Sequence, residues 1–221
     1  MPAPFIVLWE DYMPKQTSFK TRVKDIAIQY SKDYYDYYVC NDYLIISDTF
    51  SHSPYYIISA EEDNYLHLIG VSTNLSASNF FDKCLDGTLT ENDFEISSNT
   101  QNEKSIKGSI RRKISALPHI TNLLNTSSLV EENFQKNNIH CTIASSDGSC
   151  TLGFIATPKA RPKTLLKGNE LDVSKSKPIR LVLSKQRGTQ KFSIIESGTL
   201  SELYSNLNII SNLVGDEILN I

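Results

Sequence analysis

The spacing of hydrophobic positions changes several times along the first third of the chain. After Ser18, apolar side chains recur every three or four positions, which predicts a helix with Ser18 as its N-cap. This helical stripe comprises Phe19, Val23, Ile26 and Tyr30. Short β-branched and aromatic runs follow in 41–50, 53–63 and 65–71, separated by Asn, Asp, Ser or Pro. We therefore expect three strands in a meander, with His67 on the third.

Helical spacing returns in the middle of the chain. A helix is predicted to begin near Ser76 and to end at Gly87, followed by a weak capping box at Thr90 and Asp93. Its inward side chains are Phe80, Phe81 and Cys84. A second helix, rich in Lys and Arg, is interrupted at Pro118. Its apolar stripe comprises Ile106, Ile110, Ile114 and Leu117.

The pattern after the basic helix is less regular. We expect a further helix through 127–138. The dipeptide Asp147-Gly148 lies between two β-branched runs, which predicts a hairpin. The segment 159–178 is basic, with only a short apolar centre, and is expected to be a loop.

Two more strands and a helix complete the predicted fold. The strands flank a turn at Arg187-Gly188, and an amphipathic helix is expected over about 200–214. Its inward residues are Leu203, Leu207, Ile210 and Val214. The predicted fold class is therefore α+β: an N-terminal helix and strand meander, central helices and a C-terminal antiparallel sheet. We expect one domain over 1–221.

Composition agrees with a globular domain. Hydrophobic residues make up 40% of the 221 positions and charged residues 21%, which argues against wholesale disorder. No apolar run approaches the length of about 18 residues that a membrane span needs, and the apolar start lacks the basic region of a signal peptide. We expect a cytoplasmic protein that does not enter a membrane. With no CxxC pair, buried free thiols are favoured over disulfides or metal ligands for Cys40, Cys84, Cys141 and Cys150.

The net charge of −3 conceals a strong segregation of charge. An acidic half, about 1–103, contains 6 Lys or Arg against 16 Asp or Glu. The basic half spans about 104–197, and its residues 104–191 contain 16 Lys or Arg against 5 Asp or Glu. This asymmetry indicates either an anionic partner for the basic half or two surfaces that neutralise each other in the fold.

The motifs of several large enzyme classes are absent. The sequence contains no GxxxxGK[ST], HExxH or GxSxG motif, and no GxGxxG after a strand. What remains is His67, the basic helix, a hydroxyl-rich hairpin and the basic segment around Lys163-Thr164. RNA cleavage without a metal needs a base for the 2′-hydroxyl, an acid for the leaving 5′-oxygen and fixed cations for the phosphorane. These side chains suffice for that reaction, so we expect neither a metal nor another cofactor.

Four segments resemble, in this order, a family of nucleases from phages and mobile elements. They are "YYIISAEEDNYLHLIGV", "SNFFDKCLDGTLTENDF", "EKSIKGSIRRKI" and "RPKTLL". Within the barnase–EndoU–colicin–RelE superfamily, the segments most resemble the fourth phage-associated group. In that family an aromatic or apolar residue precedes His-Leu-x-Gly, and "LHLIG" matches this pattern here. The resemblance spans about 20–197. It implies a compact α+β fold with a small C-terminal sheet, ribonuclease activity and a toxin or anti-phage role.

The resemblance also implies a set of site residues. The expected catalytic residues are His67, Lys107, Arg111 and Thr164. The charge pattern of the basic half, and not the resemblance, adds the expected substrate-binding cations Lys104, Lys163 and Lys167. The cations should converge on one cleft with the histidine at its floor. His67 can equally be a core histidine whose ring nitrogens are satisfied, in which case His119 is the reserve candidate; His52 and His140 are interpreted as structural.

The expected partners are RNA and an antitoxin or inhibitor, either protein or RNA, and no membrane. The overall acidity departs from ribonuclease toxins, which are commonly basic. It supports an alternative of a different class, a module of a mobile element that binds RNA or a protein without catalysis.

Overall fold

The computed structural model describes residues 17–97, 102–156 and 158–219, and its chain is α+β. The helices are α1 (Phe19–Tyr34), α2 (Asn64–Ile69), α3 (Ala77–Leu85), α4 (Glu103–Ala116), α5 (Leu200–Ser205), α6 (Leu207–Ile210) and α7 (Asp216–Leu219). The strands are β1 (Asn41–Ser47), β2 (Tyr56–Ile58), β3 (Leu129–Glu132), β4 (Gln135–Lys136), β5 (Ile139–His140), β6 (Ile143–Ser146), β7 (Cys150–Ala156), β8 (Ala160–Lys167), β9 (Lys177–Gln186) and β10 (Ile194–Ser197). Helices thus dominate the first half of the described chain, and strands dominate the second.

Seven strands pair in a closed ring. Their order is β1–β2–β8–β7–β6–β3–β9, and β9 pairs back with β1. The pairing of β2 with β8 is parallel, and the other pairings in the ring are antiparallel. β10 extends the sheet beyond β9, and β4 and β5 form a separate hairpin. The sheet is therefore a small barrel with one added strand.

Side chains of β1 alternate between two hydrophobic cores. Tyr43 and Ile45 face the larger core, which also buries residues of α1 to α4. Leu44 and Ile46 face a second core, which is closed by the C-terminal helices through buried residues such as Leu203. Because successive residues of a strand point to opposite faces, an unbroken apolar run suits a strand covered on both sides.

Several predictions of local structure are confirmed. Ser18 caps α1, because its Oγ accepts a hydrogen bond of 2.9 Å from the main-chain N–H of Thr21. Ser76 caps α3 in the same way. The capping box of Thr90 and Asp93 begins a short 3₁₀ helix. In α4, the predicted apolar stripe is buried: Ile106, Ile110 and Ile114.

The predicted third strand is wrong, because residues 64–69 form α2. Tyr65, Leu68 and Ile69 are the buried residues, and their spacing of three and four positions places them on one face of a helix. The short apolar run was compatible with either structure. His67 consequently lies on the exposed side of a helix.

The helix predicted through 127–138 is also wrong, because this segment forms β3 and β4. Two residues of β3, Glu131 and Glu132, are acidic although they are buried, so the segment lacks the apolar pattern that predicts a strand. The Glu131 carboxylate instead accepts a hydrogen bond from the main-chain N–H of Asp172, and that of Glu132 accepts hydrogen bonds from the main-chain N–H of Ser51 and from the Tyr56 hydroxyl in β2. Acidic residues are depleted in strands, so these two residues favour a helix over the strand that forms.

Two further predictions are corrected. The segment expected as a basic loop contains β8, in which buried and exposed residues alternate from Ala160 to Thr164 as a strand requires. The expected helix over 200–214 is divided into α5 and α6, with a break at Asn206. Its inward residues Leu203, Ile210 and Val214 are nonetheless buried.

Within the residues described, no helix is long and apolar enough to span a membrane.

Candidate nucleic-acid interface and active site

Helix α4 presents cations on both sides of its buried stripe. Asn102 begins the helix by accepting a hydrogen bond of 2.8 Å from the main-chain N–H of Ser105. At about 100° per residue, Lys107 and Arg111 fall on one side of the stripe and Lys113 on the other. α4 packs against α1, α2 and β8. The helix therefore has two cationic flanks, each bordered by a different neighbour.

The first flank is a shallow depression of about 410 Å³ lined by Glu103, Lys104, Lys107 and Arg111. Lys107 Nζ lies 2.5 Å from a Glu103 carboxylate oxygen one turn earlier in the helix. The Arg111 guanidinium lies 5.6 Å from the ring centroid of Phe19, in α1. Cations beside an aromatic ring are typical of surfaces that bind nucleic-acid phosphates and bases.

The second flank is a cleft of about 490 Å³ between α4, β8 and the β4–β5 hairpin, which we call the α4–β8 cleft. Its charged lining residues are Arg112, Lys113, Lys136, Lys167 and Glu170. Lys136 forms an ion pair of 2.8 Å with Glu170. Four cations thus face one carboxylate, so the cleft favours an anion.

Lys113 connects this cleft to the helix that carries His67. Its Nζ donates a hydrogen bond to the main-chain carbonyl of His67, near the C-terminal end of α2. The Lys113 side chain also lies against Gly70, which has φ of +80° and where an added Cβ would approach Lys113 Cδ to 2.8 Å. A cation at a helix C-terminus is favourable, yet burial lowers the pKa of Lys113 to about 8.

His67 and Thr164 occupy different environments. The His67 side chain is exposed on α2. Thr164, in β8, is 8% exposed and pairs in register with Gly153 of β7. An added Cβ on Gly153 would lie 3.1 Å from Thr164 Cγ2 and 2.5 Å from Cys141 Sγ. Thr164 is therefore packed into the barrel wall, whereas His67 faces solvent.

The expected cations are distributed over more than one surface. Lys104, Lys107 and Arg111 share the first flank, and Lys167 lines the α4–β8 cleft. Lys163 is exposed and donates a hydrogen bond of 3.0 Å to the main-chain carbonyl of His140. The elements expected to form the site, α2, α4 and β8, do pack together. Their cations form two groups around α4 and not a single cleft.

Sequence reasoning missed three cations of the α4–β8 cleft: Arg112, Lys113 and Lys136. The first two lie in the run "RRK" of the basic helix, so the charge run itself was a usable signal. Lys136 carried no such signal, because the strand pairing that brings β4 beside the cleft was not predicted.

Some cations of the basic half are neutralised by the acidic half. Asp42, whose side chain is 3% exposed, lies 2.8 Å from Lys159 Nζ. Burial alone would raise the pKa of Asp42, but hydrogen bonds from Lys159 and Ser59 outweigh burial and lower it. Arg187 lies 3.0 Å from a Glu61 oxygen. The acidic and basic halves therefore neutralise each other in part within the fold.

The three buried cysteines show no feature of a reactive site. The four thiols are free, and three of them, Cys84, Cys141 and Cys150, are buried. Burial raises the pKa of Cys84 to about 12. A thiol with so high a pKa contains almost no nucleophilic thiolate at neutral pH. Across 17–97, 102–156 and 158–219, no group of three His, Cys, Asp or Glu side chains is arranged to hold a metal ion.

Comparison with known families gives one match. A family model described as phage-Barnase-EndoU-ColicinE5/D-RelE like nuclease4 matches residues 22–202. No curated protein and no solved structure matches the chain. The matched range includes α2, α4 and β8, and so includes every site residue expected from the sequence.

Proposed function

Because the chain belongs to the family phage-Barnase-EndoU-ColicinE5/D-RelE like nuclease4, we propose that this nuclease is a metal-independent endoribonuclease. The proposal is supported by the packing of α2, which carries the exposed His67, against α4, a helix with two cationic flanks. His67 would exchange protons with the 2′-hydroxyl or the leaving 5′-oxygen. The cations around α4 would bind the phosphates and stabilise the developing charge.

The outer surface of α4 suggests how RNA would bind. Between the two cationic flanks lie small residues, Ser105, Gly108 and Ser115, and an added Cβ on Gly108 would meet only the end of the Arg112 side chain, at 3.8 Å. A phosphate backbone could therefore cross the helix and contact cations on either side. Single-stranded RNA suits this path, since a positively charged surface can track the backbone of a single strand.

The enzyme proposal is tested by incubating the purified protein with total RNA in EDTA. The wild type should cut RNA, and His67→Ala should lose at least about 100-fold in rate, the usual contribution of a general acid or base. His140→Ala is the matched control, because His140 is also exposed and lies on the β4–β5 hairpin. Equal rates for the wild type and His67→Ala would contradict the assigned role of His67.

The RNA-binding surface is tested by the salt dependence of affinity. Lys107→Ala and Arg111→Ala should each reduce the slope of log affinity against log salt by about 0.7, the value for one phosphate contact of a single strand. The control is Lys32→Ala, an exposed cation of α1 in the acidic half. An unchanged slope for both α4 variants would show that this flank does not contact phosphate.

One observation favours the alternative of a binding module without catalysis. The Thr164 side chain, expected to bond a phosphate oxygen, is buried in the barrel wall. Salt-sensitive RNA binding by the wild type, with intact RNA after incubation, would support this alternative over the enzyme.

We further propose that the protein acts in the cytoplasm as a toxin restrained by an antitoxin or inhibitor. Expression of the wild type without its partner should arrest growth, and expression of His67→Ala should not. Equal growth of both strains, at equal protein levels, would contradict the toxin role.

A further inference from the structure

A buried carboxylate and an exposed imidazole meet at the end of β3. The Glu132 side chain is 4% exposed, and that of His52, in the β1–β2 loop, is 68% exposed. The carboxylate accepts hydrogen bonds from the main-chain N–H groups of Ser51 and His52, from Ser51 Oγ at 2.7 Å and from the Tyr56 hydroxyl at 2.6 Å. One carboxylate oxygen also lies 2.9 Å from His52 Nδ1.

The carboxylate determines which nitrogen of His52 carries the proton. Hydrogen bonds from His52, Tyr56 and Ser51 outweigh the effect of burial and lower the pKa of Glu132 to about 2, so the group is ionised near neutral pH. An ionised carboxylate can only accept, which favours Nδ1 as the donor across the 2.9 Å contact; Nδ1 also lies 3.0 Å from Ser51 Oγ and 3.3 Å from Asn133 Nδ2. In the neutral ring, Nε2 then holds the lone pair, at the opposite edge of a largely exposed side chain.

The loop has other anchors besides this imidazole. The main-chain N–H groups of Ser51 and His52 and the Ser51 hydroxyl hold the loop to Glu132, and the Tyr56 hydroxyl holds the start of β2 to it. An exposed side chain at His52 adds little buried apolar surface, and fixing its rotamer costs entropy. A histidine whose Nδ1 is held by a carboxylate, with Nε2 accessible, is an arrangement that suits proton transfer.

We propose that His52 and Glu132 form a second proton-transfer site, which acts on a ribose phosphodiester and is built from residues other than those around α4. The proposal rests on the proposed ribonuclease function. His52 Nε2 takes the proton of the 2′-hydroxyl, O2′ forms a bond to phosphorus, and the P–O5′ bond breaks with its electron pair moving to O5′. The imidazolium then returns the proton to O5′, so no other reactant is needed. Glu132 acts as a positioning residue.

The first experiment measures RNA cleavage in EDTA by His67→Ala, by the double variant with His52→Ala added, and by the control with His140→Ala added. The cleavage that remains in His67→Ala should fall at least about 100-fold further when His52→Ala is added, with the thermal midpoint kept, and should not change when His140→Ala is added. If the double variant cuts as fast as His67→Ala, the second site is refuted, and the proposed ribonuclease function stands. If the wild type does not cut RNA, the ribonuclease function fails, and the second experiment decides on the site itself.

The second experiment needs no turnover. The protein has four histidines, so their imidazole C–H signals can be resolved by NMR and assigned with single variants. Adenosine 3′-monophosphate should perturb the His52 signal, and ¹⁵N shifts should show the Nδ1–H tautomer, whose population should fall in Glu132→Gln. Absence of any perturbation of His52 by the nucleotide, or a tautomer unaffected by Glu132→Gln, would overturn the proposal.

Discussion

Replacing Glu132 by Gln should remove the part of the acid sensitivity that this one carboxylate causes, about 2 kcal/mol of unfolding free energy between about pH 6 and about pH 3. Burial opposes ionisation of Glu132, but hydrogen bonds from His52, Tyr56 and Ser51 prevail and lower its pKa from 4.5 to about 2. In the unfolded chain the carboxyl titrates near its ordinary value, so the unfolded state binds the proton first as pH falls. The ionised carboxylate thus stabilises the fold fully above about pH 5, and this contribution is lost as pH falls towards about 2.

The size of the effect follows from the two pKa values. The folded and unfolded values differ by about 2.5 units, which corresponds to about 3 kcal/mol of unfolding free energy. At about pH 3 the unfolded carboxyl is almost entirely protonated, and the folded carboxylate is still mostly ionised. About 2 kcal/mol of the contribution is therefore lost between about pH 6 and about pH 3.

Urea denaturation at these two pH values measures the effect. The difference in unfolding free energy between the wild type and Glu132→Gln should shrink by about 2 kcal/mol on acidification. Glu170→Gln is the control, because Glu170 is partly exposed and its ion pair with Lys136 should contribute no more than about 1 kcal/mol. A difference that stays constant between the two pH values would refute the reasoning.

Substitutions at Gly70, Gly153 and Ser18 test local packing and helix capping by thermal denaturation. Gly70→Ala should destabilise by about 1–2 kcal/mol, because φ is +80° and the new Cβ would displace Lys113; an unchanged midpoint would contradict this contact. Gly153→Ala should cost about 1–3 kcal/mol through overlap with Cys141 Sγ, and adding Cys141→Ala should recover part of that loss, whereas strictly additive effects would exclude the overlap. Ser18→Ala should cost about 1 kcal/mol as the lost N-cap of α1, and Ser18→Asp should restore it.

The parts of the fold that followed from sequence are those fixed by local chemistry. The N-caps at Ser18 and Ser76 and the apolar stripe of α4 depend on neighbouring residues alone, so spacing identified them. The segment around His67 failed because an apolar run of this length satisfies a strand and a short helix equally. Packing on β8 and on the neighbouring helices, together with the contact with Lys113, decides for α2.

The candidate site was less predictable than the fold. Sequence indicated the residue types and the basic helix, but the division of cations into two flanks depends on which neighbour packs on each side of α4. The contact of His52 with Glu132 joins residues 80 positions apart in the sequence. No local pattern encodes such a pair, and a buried glutamate in β3 contradicts the usual preferences of strands.

The closed ring of strands has a consequence for biosynthesis. β1 completes the ring only by pairing with β9, whose residues 179–186 are made long after residues 41–47 leave the ribosome. Until then, β1 has an unpaired edge, and the two cores that it shares cannot form completely. Pairing across so long a stretch of chain is also slow to form. The nascent chain therefore passes through an extended period without its mature barrel, during which chaperones can bind it and a proposed toxic activity would not yet have assembled.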